Sequence, residues 1–299
     1  VVDGNRPFIT VNATVGGGPS VPLLVDTGSP GVRIFADKVG ASGVVATQTP
    51  VDVTFADGTR FAGVEASAPV TFGGLETKGP INVQLITAVS CADGKPDCAG
   101  SVGIAKFTQT QAFSGILGIG MQAFDIYSPI SQLQGGSPRS FSIAANSSVG
   151  SATMTFNTQP PAPQAAFRIP QWTDPQLANG YPAWASKQVQ ACWAYRGQST
   201  SCVPTAFDTG SPTLFTDGSV PGAPKSTGPV SPGTPLSLSA EAGGPSIWSL
   251  TAGSTPGKNT VQVAPLEGGT SVNSGISIFR SRLVTFDLQN GNIFVSQAD

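Results

Sequence analysis

The chain has 299 residues, enough for one large domain or two packed units. Its formal charge of −2 gives no electrostatic case for nucleic acid or an anionic membrane as a partner. Hydrophobic residues outnumber charged ones, 39% against 11%, so there is a core to bury despite the many Gly and Pro. Histidine is absent, which excludes Ser–His–Asp and Cys–His nucleophilic sites and the usual His-based zinc sites.

The first residues, VVDGNRPFITVNATV, carry no basic-then-apolar leader, so an export signal is expected to lie upstream or to have been removed. No run of about 18 apolar residues offers a membrane span. Short stretches of β-formers follow one another, among them VPLLV, VDVTF, APVTF, INVQLITAV, ATMTF, LVTFDL and NIFVS. Clusters of Gly, Pro, Asn and Asp separate them, the pattern of an all-β fold rich in hairpins. GGGPS at 16–20 reads as a hairpin turn; it lacks the Lys and Ser/Thr of a phosphate loop. After it comes LLVDTGSPGVRIF at 23–35.

Cys91 and Cys98 lie in CADGKPDC, and Cys192 and Cys202 in CWAYRGQSTSC. Four cysteines allow three connectivities; the local one is favoured because each segment reads as a polar hairpin tip. Neither spacing resembles a CxxC metal or redox pair. Two structural disulfides imply an exported protein, four buried free thiols being the alternative. Helical patterning is scarce, with SPISQLQ at 128–134 the best candidate: Ser128 can cap it and Pro129 suits the first helical position. The stretch NTQPPAPQAAF (157–167) breaks the composition and reads as a linker. It divides the chain into an N-terminal lobe at 1–158, a linker at 159–168 and a C-terminal lobe at 169–299. TAFDTGSPTLFTD at 205–217 then repeats the pentapeptide DTGSP, its Asp 182 positions after the first. Trp172, Trp184, Trp193 and Trp248 are expected to fill cores or the interface between lobes rather than to stack on a ligand.

One DTGSP is easily no more than a turn, since Asp, Gly, Ser and Pro all favour turns. Two copies, each after a mostly apolar triplet and one in each half, call for chemistry. Asp offers a carboxylate at a loop tip, Gly allows close backbone approach, and Ser can donate to the neighbouring carboxylate. Two such loops brought together put two carboxylates in near contact. Unit charges about 4 Å apart repel by about 4 kcal/mol at an effective dielectric of about 20. They therefore share one proton, leaving a general base and a general acid around one water. Without histidine, proton transfer falls to such groups, and neither a metal nor another cofactor is needed.

These motifs resemble those of pepsin-type aspartic proteases, and the low-charge, Gly-rich style is most similar to the pepsin-like domains of mycobacterial PE and PE_PGRS surface proteins. The resemblance covers most of the chain. FSGILGIG (113–120) is similar to the family's hydrophobic-hydrophobic-Gly element, with Ile116, Leu117 and Gly118 at its centre, and SPISQLQ sits where the family has a short helix. ISIFRSRLVTFDLQNGNIFVSQ (276–297) resembles the hairpin that closes the second lobe, and Cys192 and Cys202 match a usual disulfide position.

The resemblance implies a bilobal pepsin-like aspartic protease fold with a cleft between two related β lobes. Asp26 and Asp208 become the catalytic pair, Ser29 and Ser211 their hydrogen-bonding supports, Thr27 and Thr209 the clasp between loops. Gly28 and Gly210 would offer backbone to the substrate. VTFADGTRFAG (53–63) matches the flap, a hairpin folding over the cleft; Phe55 replaces the family's Tyr and Ala56 its Gly, while Asp57 and Gly58 keep the pattern. Arg33 stands where a Trp usually holds the Tyr hydroxyl. In SVNSGIS (271–277) Val272 and Asn273 stand where two apolar residues are expected before a Gly, so a local irregularity is expected there. The implied partners are an extended peptide or protein substrate and statine-type inhibitors, with no cofactor, no metal and no nucleic acid. The implied molecule is a secreted or cell-surface monomer. The alternative is a pepsin-fold binding, inhibitor or structural surface domain without catalysis; the intact DTGS units argue against it and the altered flap for it.

Overall fold

The computed structural model of the chain describes residues 8–146, 150–253 and 259–298. The start of the expected first lobe, residues 1–7, lies outside the described residues. The chain divides into two compact units: Thr10–Ser137 with Leu177–Asn179, and Val1–Ile9 with Pro138–Gln176 and Gly180–Asp299. Among the described residues no helix is long and apolar enough to cross a membrane.

In the first unit the strands are β1 (Thr10–Val15), β2 (Val21–Asp26), β3 (Pro30–Phe35), β4 (Val45–Thr54), β5 (Thr59–Ala68), β6 (Val70–Phe72), β7 (Leu75–Glu76), β8 (Ile81–Cys91) and β9 (Gly115–Ile119). They form one sheet in the order β4-β5-β8-β3-β9-β2-β1-β6-β7. The GGGPS turn joins β1 to β2 as an antiparallel hairpin, with Thr10 opposite Leu24. Gly16 is required there. Its φ is +60°, and a Cβ would lie 2.3 Å from Val44 Cγ2.

At the centre, β9 runs parallel to β2 and antiparallel to β3. Every residue of β3 and β9 is buried, which explains their near-continuous apolar runs. Phe35, Phe61 and Phe107 meet edge to face with centroids 5.5–6.0 Å apart. Each buried ring of this kind contributes about 1.5–3 kcal/mol by leaving water. Phe107 is carried by α1 (Gly103–Gln111), a helix that the sequence pattern did not announce. The expected helix at SPISQLQ is a 3-10 turn over Pro129–Gln132.

The second unit holds β10 (Ser140–Asn146), β11 (Ser151–Phe156), β12 (Ala165–Arg168), β13 (Gln171–Gln176), β14 (Pro182–Trp184), β15 (Val189–Tyr195), β16 (Ser201–Ala206), β17 (Leu214–Thr216) and β18 (Gly228–Pro229). It continues with β19 (Pro235–Ser239), β20 (Ser246–Thr251), β21 (Val261–Val263), β22 (Val272–Asn273), β23 (Arg282–Asp287) and β24 (Asn292–Gln297). Two larger sheets run β11-β10-β23-β24-β12 and β18-β21-β17-β22-β16-β15-β19-β20, and β13 pairs with β14. The closing hairpin expected at 276–297 is β23–β24, preceded by a 3-10 turn at Ile278–Arg280.

The lobe division expected from composition differs from the observed one. Residues 138–158 belong to the second unit, because β10 pairs with β23 and stacks Phe141 on Phe286 at 4.8 Å. The segment 159–168, expected as a linker, becomes β12 from Ala165 onward and pairs with β24. Even its irregular part is fastened to that sheet: Ser296 Oγ donates to Pro161 O and Gln164 N–H to Val295 O, both at 2.8 Å. The Pro-rich break marks a crossing between strands of one sheet. The buried indoles of Trp184, Trp193 and Trp248 each donate to an oxygen of the unit, at 2.8–3.0 Å, as core fillers do.

Both local disulfides form, Cys91 with Cys98 and Cys192 with Cys202. The second joins directly opposed residues of β15 and β16. Closing loops this short contributes about 2–3 kcal/mol each in the chain-entropy model.

Candidate functional site

Each unit carries one DTG loop, built on the same three-strand pattern. In the first, β2 ends on Asp26, the loop turns at Thr27–Ser29, and β3 leaves from Pro30. β9 lies between the two strands with Gly118 level with Asp26 and Gly31. A side chain at Gly118 would meet Ser29 and Gly31 carbonyl oxygens at 2.7 Å, so the loop rests directly on bare backbone. In the second unit β22 takes the place of β9, parallel to β16 and antiparallel to β17. A Cβ at Gly275 would meet Thr213 O at 2.6 Å.

The first carboxylate is 5% exposed. Gly28 N–H donates to Asp26 Oδ1 at 2.7 Å, and Ser29 Oγ donates to Asp26 Oδ2 in a short hydrogen bond. Gly120 N–H donates to Ser29 O at 2.9 Å and so holds the loop from β9's end. Thr27 is buried beside it. Ser29 meets Asp26 as the resemblance implied, whereas the Gly28 N–H, expected to be offered to a substrate, is turned to Asp26.

The second carboxylate, 8% exposed, repeats the first bond: Gly210 N–H donates to Asp208 Oδ1 at 2.7 Å. There the likeness ends. Ser211, expected to support Asp208, instead donates its hydroxyl to Thr213 O at 2.7 Å and accepts from Thr213 N–H at 3.3 Å. A hydroxyl has one proton to give, and Ser211 has spent it within its own turn. The donor to Asp208 Oδ2 is Asn273 Nδ2, at 2.6 Å. Ser274 Oγ accepts from Asp208 N–H at 3.2 Å. Thr209 is fully buried. The irregularity expected at SVNSGIS is therefore a polar replacement with a partner. Asn273 and Ser274 were missed by sequence reasoning, although a polar pair in an otherwise apolar element was the available signal.

Phe55–Gly58 form the tip of the β4–β5 hairpin. Phe55 N–H donates to Thr59 O and Gly58 N–H to Phe55 O, closing the turn, and the Asp57 carboxylate accepts from Thr59 N–H and Oγ1. The Phe55 ring stands edge-on to Phe61, centroids 5.1 Å apart. The disulfide loop grips the tip from one side. Lys95 Nζ donates to Ala56 O at 2.6 Å and Ala92 N–H to Gly58 O at 2.8 Å. Gly58, at φ +91°, leaves room for the Lys95 stem.

Arg33, in the position of the missing Trp, is a buried cation. Its Nη1 donates to Gln84 Oε1 at 2.9 Å and its Nη2 to Pro30 O at 3.4 Å. Gln84 Nε2 in turn donates to Val51 O and Phe61 O on the two hairpin strands, at 2.8 and 3.1 Å. Burial pulls the guanidinium pKa down from its ordinary value, and the negative charge of Asp26 pulls it back up. Arg33 thus links the hairpin's strands to the loop that carries Asp26.

A family model of the PE-PGRS C-terminal aspartyl peptidase-like domain matches residues 2–292. No curated protein matches the chain. Among solved structures the chain is similar to the aspartic proteinase from Irpex lacteus, at 16% identity and a TM-score of 0.59, over 97% of this chain and 94% of that one. At that identity the likeness establishes the fold: all-β, bilobal and pepsin-like.

Proposed function

Since the chain belongs to the family of PE-PGRS C-terminal aspartyl peptidase-like domains, we propose that it is an aspartic endopeptidase in which Asp26 and Asp208 act as a pair. The observation that carries the reading is the repetition of one carboxylate cradle in both units. In each, a backbone N–H two residues after the Asp donates to Oδ1 at 2.7 Å, where the chain leaves a strand and turns against a Gly of the neighbouring segment.

In this reading the two carboxyls share one proton over one water. The ionised group takes a proton from the water as it attacks the peptide carbonyl, while the protonated group donates to the carbonyl oxygen. The proton then passes to the departing amine, with no covalent enzyme intermediate and no metal. The substrate is an extended peptide, paired through its backbone with the glycines of the DTG loops and covered by Phe55–Gly58. A statine-type mimic of the tetrahedral state binds the same pair. The two disulfides fit an exported, secreted or cell-surface protein, acting as a monomer.

Asp26→Asn and Asp208→Asn are each expected to keep the fold and lower peptide hydrolysis at mildly acidic pH by roughly a thousandfold or more. Full activity in either variant, with circular dichroism unchanged, would contradict the reading. One observation favours the non-catalytic alternative: the hairpin tip is bound on one side by Lys95 and Ala92. A parent protein that binds a statine-type peptide but cleaves nothing would select that alternative.

A further inference from the structure

We propose that Asn273 is the positioning residue of Asp208, performing in the second half-site the task that Ser29 performs in the first. The inference rests on the peptidase reading above and deepens it. Asn273 is 9% exposed and sits in β22 beside Ala206, where the corresponding residue of β9, Ile116 beside Leu24, is apolar. A buried amide in such a strand is costly unless both its ends are paired. Here both are. Gly275 N–H donates to Asn273 Oδ1 at 2.9 Å, and Asn273 Nδ2 donates to Asp208 Oδ2 at 2.6 Å.

The first of these bonds decides the chemistry of the second. Because Oδ1 is committed as an acceptor to a backbone N–H, the amide cannot turn over, and the face it shows Asp208 is a donor only. Such a donor pairs with an oxygen that bears no proton. Ser29 differs, since a hydroxyl rotates to donate to a carboxylate or to accept from a carboxylic acid. The two halves therefore impose different rules. Asp26 can carry the shared proton on its outer oxygen, whereas Asp208 Oδ2 stays a lone-pair site throughout the cycle.

The test compares Asn273→Ala and Asn273→Asp with the parent, in the full chain. Asn273→Ala is expected to lower kcat roughly tenfold to a hundredfold, as losing a hydrogen bond to a charged group does, with KM little changed. Asn273→Asp keeps the acceptor for Gly275 and donates only while its own carboxyl is protonated. It should approach parent activity at acidic pH and lose it more steeply than the parent as pH rises. Parent-like kinetics and an unchanged pH profile in both variants would overturn the proposal.

A second measurement does not depend on turnover. The side-chain amide proton signals of Asn273 should move strongly in Asp208→Asn, because the acceptor loses its charge. If they stay in place, the proposal fails whatever the kinetics show. If the parent cleaves no peptide yet those signals move, the peptidase reading fails while Asn273 remains the partner that orients Asp208.

Discussion

Arg33 shows how one buried residue acts through its donors. Its guanidinium gives Gln84 Oε1 a partner, and Gln84 then spends both amide protons on the β4 and β5 backbone. Arg33→Met removes a charged donor and leaves a buried amide oxygen unpaired, so we expect a loss of about 1–3 kcal/mol in denaturant unfolding. The double variant Arg33→Met, Gln84→Leu should cost less than the two singles combined, because removing both partners leaves fewer orphaned groups. Strict additivity would mean that the two side chains do not cooperate. At this scale, legibility followed sequence distance. The bonds from Gly28 and Ser29 to Asp26 close within three residues, and the DTGS motif announces them. The bond from Asn273 to Asp208 spans 65 residues, and no local pattern encodes it. Ser211 is the exception: its bond closes within two residues, yet an identical pentapeptide does not fix where its hydroxyl turns when Thr213 offers a carbonyl.

Among elements, the β4–β5 hairpin and the disulfide loop after β8 form one mechanical piece. Cys91 lies opposite Thr59, and Ala92 and Lys95 hold the carbonyls of Gly58 and Ala56. Replacing Cys91 and Cys98 by Ser should cost about 2–3 kcal/mol of stability. Amide exchange at Ala92 should also accelerate beyond what that global loss produces, because the tip is released locally. Equal acceleration at every core amide would show that the loop supports the unit as a whole and not the tip. The strands of this region were readable from alternation and turn residues. The helix α1 was not: it starts at a Gly, carries Thr at 108 and 110, and buries only Phe107. A helix anchored by one side chain offers no apolar stripe for a 3.6-residue period to reveal.

At the scale of the molecule, the all-β reading and the two DTG-bearing halves survived, while the border between the halves moved. Composition located a break at 157–167 and read it as a linker; residues 157–164 are strand-free and mostly exposed, but 165–167 belong to β12, and composition does not say which strands the break joins. β10 and β11 before it and β12 after it belong to one sheet, bound through β23 and β24. Of the apolar side chains that decide this, Phe141 and Ile143 lie outside the break and Phe167 is its last residue, and all three pair with residues more than a hundred positions away. A consequence follows for cleavage. Residues 161–164 are exposed, so a protease site introduced there can be cut in the native protein. If the crossing were a linker between independent lobes, the two fragments would part on dilution. Because the strands on either side share a sheet, the nicked chain should stay together in size-exclusion chromatography and unfold in one transition close to that of the uncut protein. Fragments that elute separately without denaturant would restore the linker at 159–168 and remove β10 and β11 from the sheet.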